Sequence, residues 1–272
     1  MTSTLAMPEI GARNPELDVR GLRVLVTAGG GGIGRTIAES FAASGAKVHV
    51  TDVAKSALAA AIDAAPALTG TVGDASNAED VDRVFADVSA RLGGLDVLIN
   101  NAGIAGPTGR VDALSAADVD RTIDVNLKSQ FYFLERFVPL LRDSKRHPSI
   151  IGMSSIAGRL GYGYRTPYAA TKWAIVGLIK SLAVELGPLG IRANAILPGA
   201  VQGERMDRVI AARAAAMGVS FDAMRDEFLS KISLRRMVEA KDVANLALFL
   251  ASPLARNISG QVISVDGDSQ SA

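Results

Sequence analysis

The chain has 272 residues, 49% of them hydrophobic and 21% charged, with a formal net charge of +1, no cysteine and two histidines. That length suits one large α/β domain with ample core, and near-neutral charge gives no case for nucleic acid or a charged membrane surface as partner. The missing cysteines exclude disulfides, thiolate metal sites and a cysteine nucleophile, and His49 and His147 are too few for a histidine-rich site, so no metal is expected.

No apolar run reaches the roughly 18 residues needed to cross a bilayer. Residues 1–18 hold Pro8, Gly11 and Pro15 and lack both a periodic pattern and a secretory signal, so they read as a flexible or partner-docking arm before a domain over 19–272. A cytoplasmic location is expected.

From Val19 onward, short β-branched runs alternate with helical patterns, which predicts a parallel sheet covered on both faces. Arg23 to Thr27 is the first strand, 28–34 a glycine-rich turn, and Arg35 to Ser44 a helix stopped by Gly45. Gly29, Gly31 and Gly34 have the spacing G-x-G-x-x-G. Without Cβ atoms such a backbone turns tightly and approaches a pyrophosphate, whose charge then faces the helix N-terminus. Val48 to Asp52 is the second strand. An acid at its end can bind the adenosine ribose hydroxyls and would repel a 2′-phosphate, so Asp52 favours NAD over NADP; Arg35 is the nearby cation that argues the other way.

Ala54 to Ala65 is an alanine-rich helix, Leu68 to Val72 the third strand, and Asp74 is placed to accept from an adenine amine. Ser76 opens a helix to about Arg91 as a capping box. Val97 to Ile99 is the fourth strand, running into Asn100, Asn101, Ala102 and Gly103 at the crevice floor. Ser115 caps one long helix to about Arg142, with Asn126 inside it. Ile150 to Met153 is the fifth strand, with Ser154 and Ser155 at its end. The next helix carries Tyr168 and Lys172, four residues apart and so on one face. Two unit charges about 4 Å apart interact by roughly 4 kcal/mol at an effective dielectric near 20. The ammonium therefore lowers the phenol's pKa and fits it for proton exchange with an alcohol or carbonyl, while Ser155 offers a hydroxyl to hold the reacting oxygen. Arg192 to Leu197 is the sixth strand, ending in Pro198-Gly199; 200–230 reads as a mobile stretch; Asp242 to Leu250 is a helix; Gln261 to Val265 is the seventh strand.

Together these residues resemble the short-chain dehydrogenase/reductase family over nearly all of 19–267. The glycine motif aligns on Thr27 to Gly34, N-N-A-G on Asn100 to Gly103, the catalytic four on Asn126, Ser155, Tyr168 and Lys172, and the nicotinamide-side segment on Pro198-Gly199. The resemblance implies a single doubly wound Rossmann-type α/β domain that oxidises a secondary alcohol with NAD or reduces the ketone. It further implies cofactor contacts at Gly29, Gly31, Gly32, Ile33, Gly34, Asp52, Val53, Asp74, Ala75, Asn101, Ala102, Gly103, Tyr168, Lys172, Pro198, Gly199 and Val201. In the roles it implies, Tyr168 is the general acid/base, Ser155 positions the substrate, Lys172 tunes Tyr168 and binds nicotinamide ribose, and Asn126 holds a water linking Lys172 to solvent.

Two positions depart from the family pattern. Ala28 replaces the first glycine, and Gly203 replaces the threonine that often holds the nicotinamide carboxamide, leaving that task to backbone around Val201 or to another side chain. Ser155, Arg159, Arg165, Gln202 and Arg205 are the candidate substrate contacts. Their donors and cations suit a small hydroxylated substrate such as a sugar, polyol or sugar acid, with a reductase of 3-oxoacyl thioesters and a non-enzymatic dinucleotide sensor as the alternatives. The resemblance also implies a homo-oligomer, commonly a tetramer, for which Phe131, Tyr132, Phe133 and Phe137 are contact candidates.

Overall fold

The computed structural model describes residues 17–270; the N-terminal arm expected over 1–18 lies almost wholly outside them. Seven parallel strands form one sheet, β1 (Arg23–Thr27), β2 (Lys47–Asp52), β3 (Leu68–Val72), β4 (Val97–Asn100), β5 (Ser149–Met153), β6 (Arg192–Pro198) and β7 (Val262–Val265), in the order β3-β2-β1-β4-β5-β6-β7. The strands are near-continuous apolar runs because both faces are covered. Val24 and Val26 of β1 face the core under α1 (Gly32–Ala43) and α9 (Ala240–Ala251). Leu25 between them faces the core under α3 (Ala78–Leu92), α5 (Ser129–Arg142) and α6 (Thr166–Leu186). α2 (Lys55–Ala64) closes the β2–β3 edge on the first side through Leu58. The chain runs outward from β1 to β3 and then returns to place β4 beside β1, which opens a crevice at the strands' C-terminal ends.

Three segments differ from expectation. The helix after β3 is capped by Asn77, whose side chain accepts from the N–H groups of Glu79 and Asp80, while Ser76 bonds Asp74 instead. The single helix expected from Ser115 is α4 (Ala116–Ile123), a widened π turn (Asp124–Lys128), and then α5. The turn frees the Val125 carbonyl, which accepts from the Ser129 hydroxyl at 2.6 Å, and it sets Asn126 on the bulge, a location common for functional side chains.

The stretch 200–230, for which the sequence reading places no element, holds α7 (Glu204–Met217) and α8 (Phe221–Ser230). Ile210, Ala214 and Met224 form a small core of their own, with Met206, Phe228 and Met237 packed on it. The signal was present in the sequence: Met206, Val209, Ile210 and Ala214 recur at helical spacing, Gly218 ends α7 in a left-handed conformation, and the Ser220 hydroxyl caps α8.

Candidate active site

Thr27 ends β1 and the chain turns at once. Ala28 adopts φ +52°, a left-handed conformation that glycine takes at lower cost. Gly29 then passes so close to β2 that a Cβ there would stand 2.7 Å from Val50 Cγ1, and a Cβ on Gly34 would collide with the Ala28 carbonyl and the Asn101 amide. Gly31 and Gly32 are different, because a Cβ on either would meet nothing within 4 Å. They face open space at the N-terminus of α1, which has no side-chain cap and no acidic residue in its first turn. Bare N–H groups, a helix dipole and an open glycine backbone form an anion cradle, and a dinucleotide's pyrophosphate fits it.

Asp52 closes the turn from the end of β2, accepting from Gly30 N at 2.9 Å on Oδ2 and from Ala54 N at 2.9 Å on Oδ1. Each oxygen keeps a lone pair for a ribose hydroxyl. Arg35, the cation that could welcome a 2′-phosphate, is ion-paired with Glu39 at 2.7 Å. Thr27 locks the opposite wall, its hydroxyl accepting from the N–H of Asn101 at 2.9 Å and of Ala102 at 2.8 Å. The Asn101 side chain returns the tie by donating to the Thr27 carbonyl at 2.9 Å. Asp74 is half-buried. Burial pushes its carboxyl up, but hydrogen bonds from Ser76 and Arg121 outweigh this and hold it below the ordinary range.

α6 presents Tyr168 and Lys172 toward the end of β5. Lys172 is buried; its Nζ donates to the Met153 carbonyl at 2.8 Å and stands 5.6 Å from the centre of the Tyr168 ring. Burial pushes the Tyr168 phenol up, but the charges of Lys172 and Arg205, a hydrogen bond from Ser155 and the charge of Arg165 outweigh it, so the pKa lies below the usual tyrosine value. Lys172 is pushed down to about 8, mainly by burial, with Tyr168 pulling it up and Arg205 and Arg165 adding to the fall. Ser155 is extended at φ −170°, and its hydroxyl accepts from Ala157 N at 3.2 Å. The Asn126 side chain accepts from Ile104 N at 2.7 Å, donates to Ile104 O at 3.1 Å and donates to the Thr171 hydroxyl at 3.2 Å. It thereby joins the loop after β4 to the helix of Tyr168.

A cleft of about 690 Å³ connects all these parts, from Asp52 past the glycine turn to Ser155, Tyr168 and Lys172. The sequence profile described as "Enoyl-(Acyl carrier protein) reductase" matches residues 28–267. Levodione reductase of Leifsonia aquatica is 33% identical over 92% of this chain and 94% of its own length. Galactitol 2-dehydrogenase of Agrobacterium fabrum is 33% identical over 89% and 95% of the two chains. A 3-oxoacyl-[acyl-carrier-protein] reductase of Thermotoga maritima is also 33% identical, over 89% and 95%. The crystal structure of levodione reductase superposes with a TM-score of 0.85 at 31% identity, covering 91% of this chain and 97% of that one.

The chain belongs to the short-chain dehydrogenase/reductase family. It is an oxidoreductase that interconverts an alcohol and a ketone. In this short-chain dehydrogenase/reductase the cleft wall includes Gly31, Gly32, Ile33, Gly34, Asp52, Asn101, Gly103, Ser155, Tyr168, Lys172, Pro198, Gly199 and Val201. Gly29, Val53, Asp74, Ala75, Ala102 and Asn126 sit behind or beside that wall rather than forming it. Of the substrate candidates, Arg165, Gln202 and Arg205 line the cleft. Arg159 does not: its guanidinium pairs with Asp266 at 3.0 Å, which ties the end of β5 to the loop after β7. Unforeseen members of the wall are the apolar Met206, Val209, Phe228 and Ile232. Met206, Val209 and Phe228 come with α7 and α8, and Ile232 follows α8, in and just after a stretch whose sequence reads as mobile. Phe133 and Phe137 are core residues, whereas Phe131 is exposed.

Proposed function

We propose that the protein is an NAD(H)-dependent dehydrogenase/reductase acting on the secondary alcohol or ketone of a small, polar, hydroxylated compound. The observation that carries this reading is the convergence of Tyr168, Lys172 and Ser155 on a cleft that also holds an open glycine cradle and Asp52. A nicotinamide dinucleotide, when bound, supplies the hydride acceptor or donor. Tyr168 Oη takes the hydroxyl proton in oxidation and returns it in reduction. The Ser155 hydroxyl orients the substrate oxygen and stabilises charge developing on it. Lys172 keeps the phenolate accessible and donates to nicotinamide ribose. Asn126 holds the Ile104 loop and the water that links Lys172 to solvent. Val201 pairs with Val238 through its neighbours Gln202 and Ala200, so its own backbone groups are turned the other way to meet the carboxamide that Gly203 cannot reach. Asp52 binds the adenosine ribose, with Val53, Asp74 and Ala75 bordering the adenine.

Two measurements test this reading. Tyr168→Phe should bind NADH as wild type does and lose at least about 100-fold in kcat; near-wild-type turnover would remove the acid/base assignment. Wild type should prefer NAD to NADP in kcat/KM, and Asp52→Ala should narrow the gap; an NADP preference in wild type would refute the role of Asp52.

One observation favours a second reading, a reductase of 3-oxoacyl thioesters. The apolar wall of Met206, Val209, Phe228 and Ile232 suits an acyl chain. A panel of sugars, polyols, sugar acids and 3-hydroxyacyl thioesters, followed by NADH absorbance, separates the two. A cytoplasmic homotetramer completes the proposal. It is supported by Phe131, Trp173 and Val184, which are apolar and exposed on α5 and α6; light scattering and cell fractionation test it.

A further inference from the structure

The catalytic half of the cleft is unusually cationic. Its charged lining residues are Arg165, Lys172, Glu204, Arg205 and Arg208. Glu204 pairs with Arg208 at 3.5 Å, and both side chains are largely in solvent. Arg165, Lys172 and Arg205 have no carboxylate partner among the described residues. Asp52 lies at the far, adenosine end.

The three cations lie close together. Arg205, in the first turn of α7, donates from Nη1 to the Gly103 carbonyl at 3.2 Å. A Cβ on that same Gly103 would stand 3.5 Å from Lys172 Nζ, so a single residue separates the two charges. Four of the five N–H donors of Arg205 remain uncommitted. Arg165 comes from the other side, its guanidinium carbon 4.4 Å from the Tyr168 ring centre and 5.1 Å from that of Tyr162. It is only 4% exposed, donates to the Ala105 carbonyl and, at 3.5 Å, to the Tyr162 hydroxyl, and its buried Nε–H has no acceptor. Arg213 stacks against Tyr162 as well, 5.6 Å from its ring centre. A buried guanidinium with an orphaned donor is costly unless something completes it, and a planar fork suits a carboxylate.

We propose that the substrate is an anion, a hydroxy acid or keto acid whose carboxylate lies close to the reacting carbon and is held by Arg205, with Arg165 forming the fixed cationic wall behind it. This rests on the oxidoreductase reading above and narrows its substrate class. It gives the Gly203-Glu204-Arg205 segment a function: Gly203 adopts φ +134° and has no side chain to contribute, and its turn carries Arg205 over Gly103 instead. The stacked Tyr162 and the apolar wall residues Met206, Val209, Phe228 and Ile232 then serve the carbon skeleton rather than the charge.

The test compares hydroxy acids with their own primary amides, which share skeleton and shape and differ in charge. Gluconate and gluconamide, tartrate and tartramide, and 3-hydroxybutyrate and its amide make the panel. Wild type should favour the acid in kcat/KM by roughly 10- to 100-fold, mainly through KM. Arg205→Gln should lose at least about tenfold more on the acid than on the amide, and Arg205→Lys should recover part of that loss. NADH affinity, read from its fluorescence, should be unchanged in Arg205→Gln. Equal use of acids and amides by wild type overturns the proposal. So does a weaker NADH complex in Arg205→Gln with equal losses on both substrates, which would assign Arg205 to the dinucleotide's phosphates. If no member of the panel is oxidised, turnover does not separate acids from amides, and binding is read instead. Calorimetric titration of the acids and amides into Tyr168→Phe loaded with NAD then decides the inference: tighter acid binding that Arg205→Gln abolishes supports it, and no discrimination refutes it.

Discussion

Replacing Lys172 by methionine removes the cation beside Tyr168 while keeping most of the side chain's volume. At the 5.6 Å that separates Nζ from the ring centre, an effective dielectric near 20 gives a Coulomb interaction of about 3 kcal/mol. Losing that interaction removes support for the phenolate, so the Tyr168 pKa should rise. The two groups titrate as a pair, because Lys172 itself is pushed down to about 8. Alcohol oxidation needs the phenolate, so the acidic limb of kcat/KM against pH moves to higher pH in Lys172→Met. Below that limb the rate falls by about 10- to 100-fold, and it recovers as the pH is raised. The assay is initial-rate kinetics at saturating cofactor across pH. It is paired with ultraviolet difference titration, in which Tyr168→Phe identifies the phenolate signal among the four tyrosines. An acidic limb that stays in place while activity drops would refute the electrostatic role and leave Lys172 its bond to the Met153 carbonyl and the proposed ribose contact.

Ala28→Gly relieves a left-handed alanine and should stabilise the protein by about 0.5–1 kcal/mol, a Tm increase of about 2 °C in calorimetry; an unchanged or lower Tm would show that the turn carries no strain there. His49 is fully buried between the hydroxyls of Thr69 and Thr71, and burial pushes it down to about 4 from an ordinary value of 6.5. The folded state therefore binds fewer protons than the unfolded chain between those values. The stability that goes with a neutral His49 is complete above 6.5 and falls by up to about 3 kcal/mol as the pH drops toward 4. Urea midpoints measured across that window should fall less steeply in His49→Gln than in wild type, and equal slopes would contradict the assignment.

Much of the fold was legible because it depends on local signals. Arg23–Thr27 and Leu68–Val72 have the same ends in the structure as in the sequence reading, since an apolar β-branched run between turn residues has few other places to go. The glycine spacing likewise predicts its own geometry: Gly29 and Gly34 are where a Cβ would collide, and Gly31 and Gly32 are where the backbone faces open space. The π turn at Asn126 was not legible, because its 3.6-residue pattern continues through the extra residue and only the Ile104 loop and Thr171 reveal why the bulge is there. The role of Arg159 was misread for a similar reason. It stands four residues after Ser155, but Asp266, 107 positions away in the chain, draws it elsewhere.

Sequence alone determined the succession of the seven strands, the open glycines before α1, the acid at the end of β2 and the Tyr168–Lys172 pair, because each depends on neighbours within a turn or a strand. The tertiary structure decided what surrounds that pair. Only folding draws Arg165 to the Ala105 carbonyl, carries Arg205 to the Gly103 carbonyl beside Lys172 and brings residues of α7 and α8 into the cleft wall. Those contacts join residues tens of positions apart, and charge acts through space without regard to chain separation. The sequence therefore shows which ionisable groups exist, and the fold decides which of them share a field.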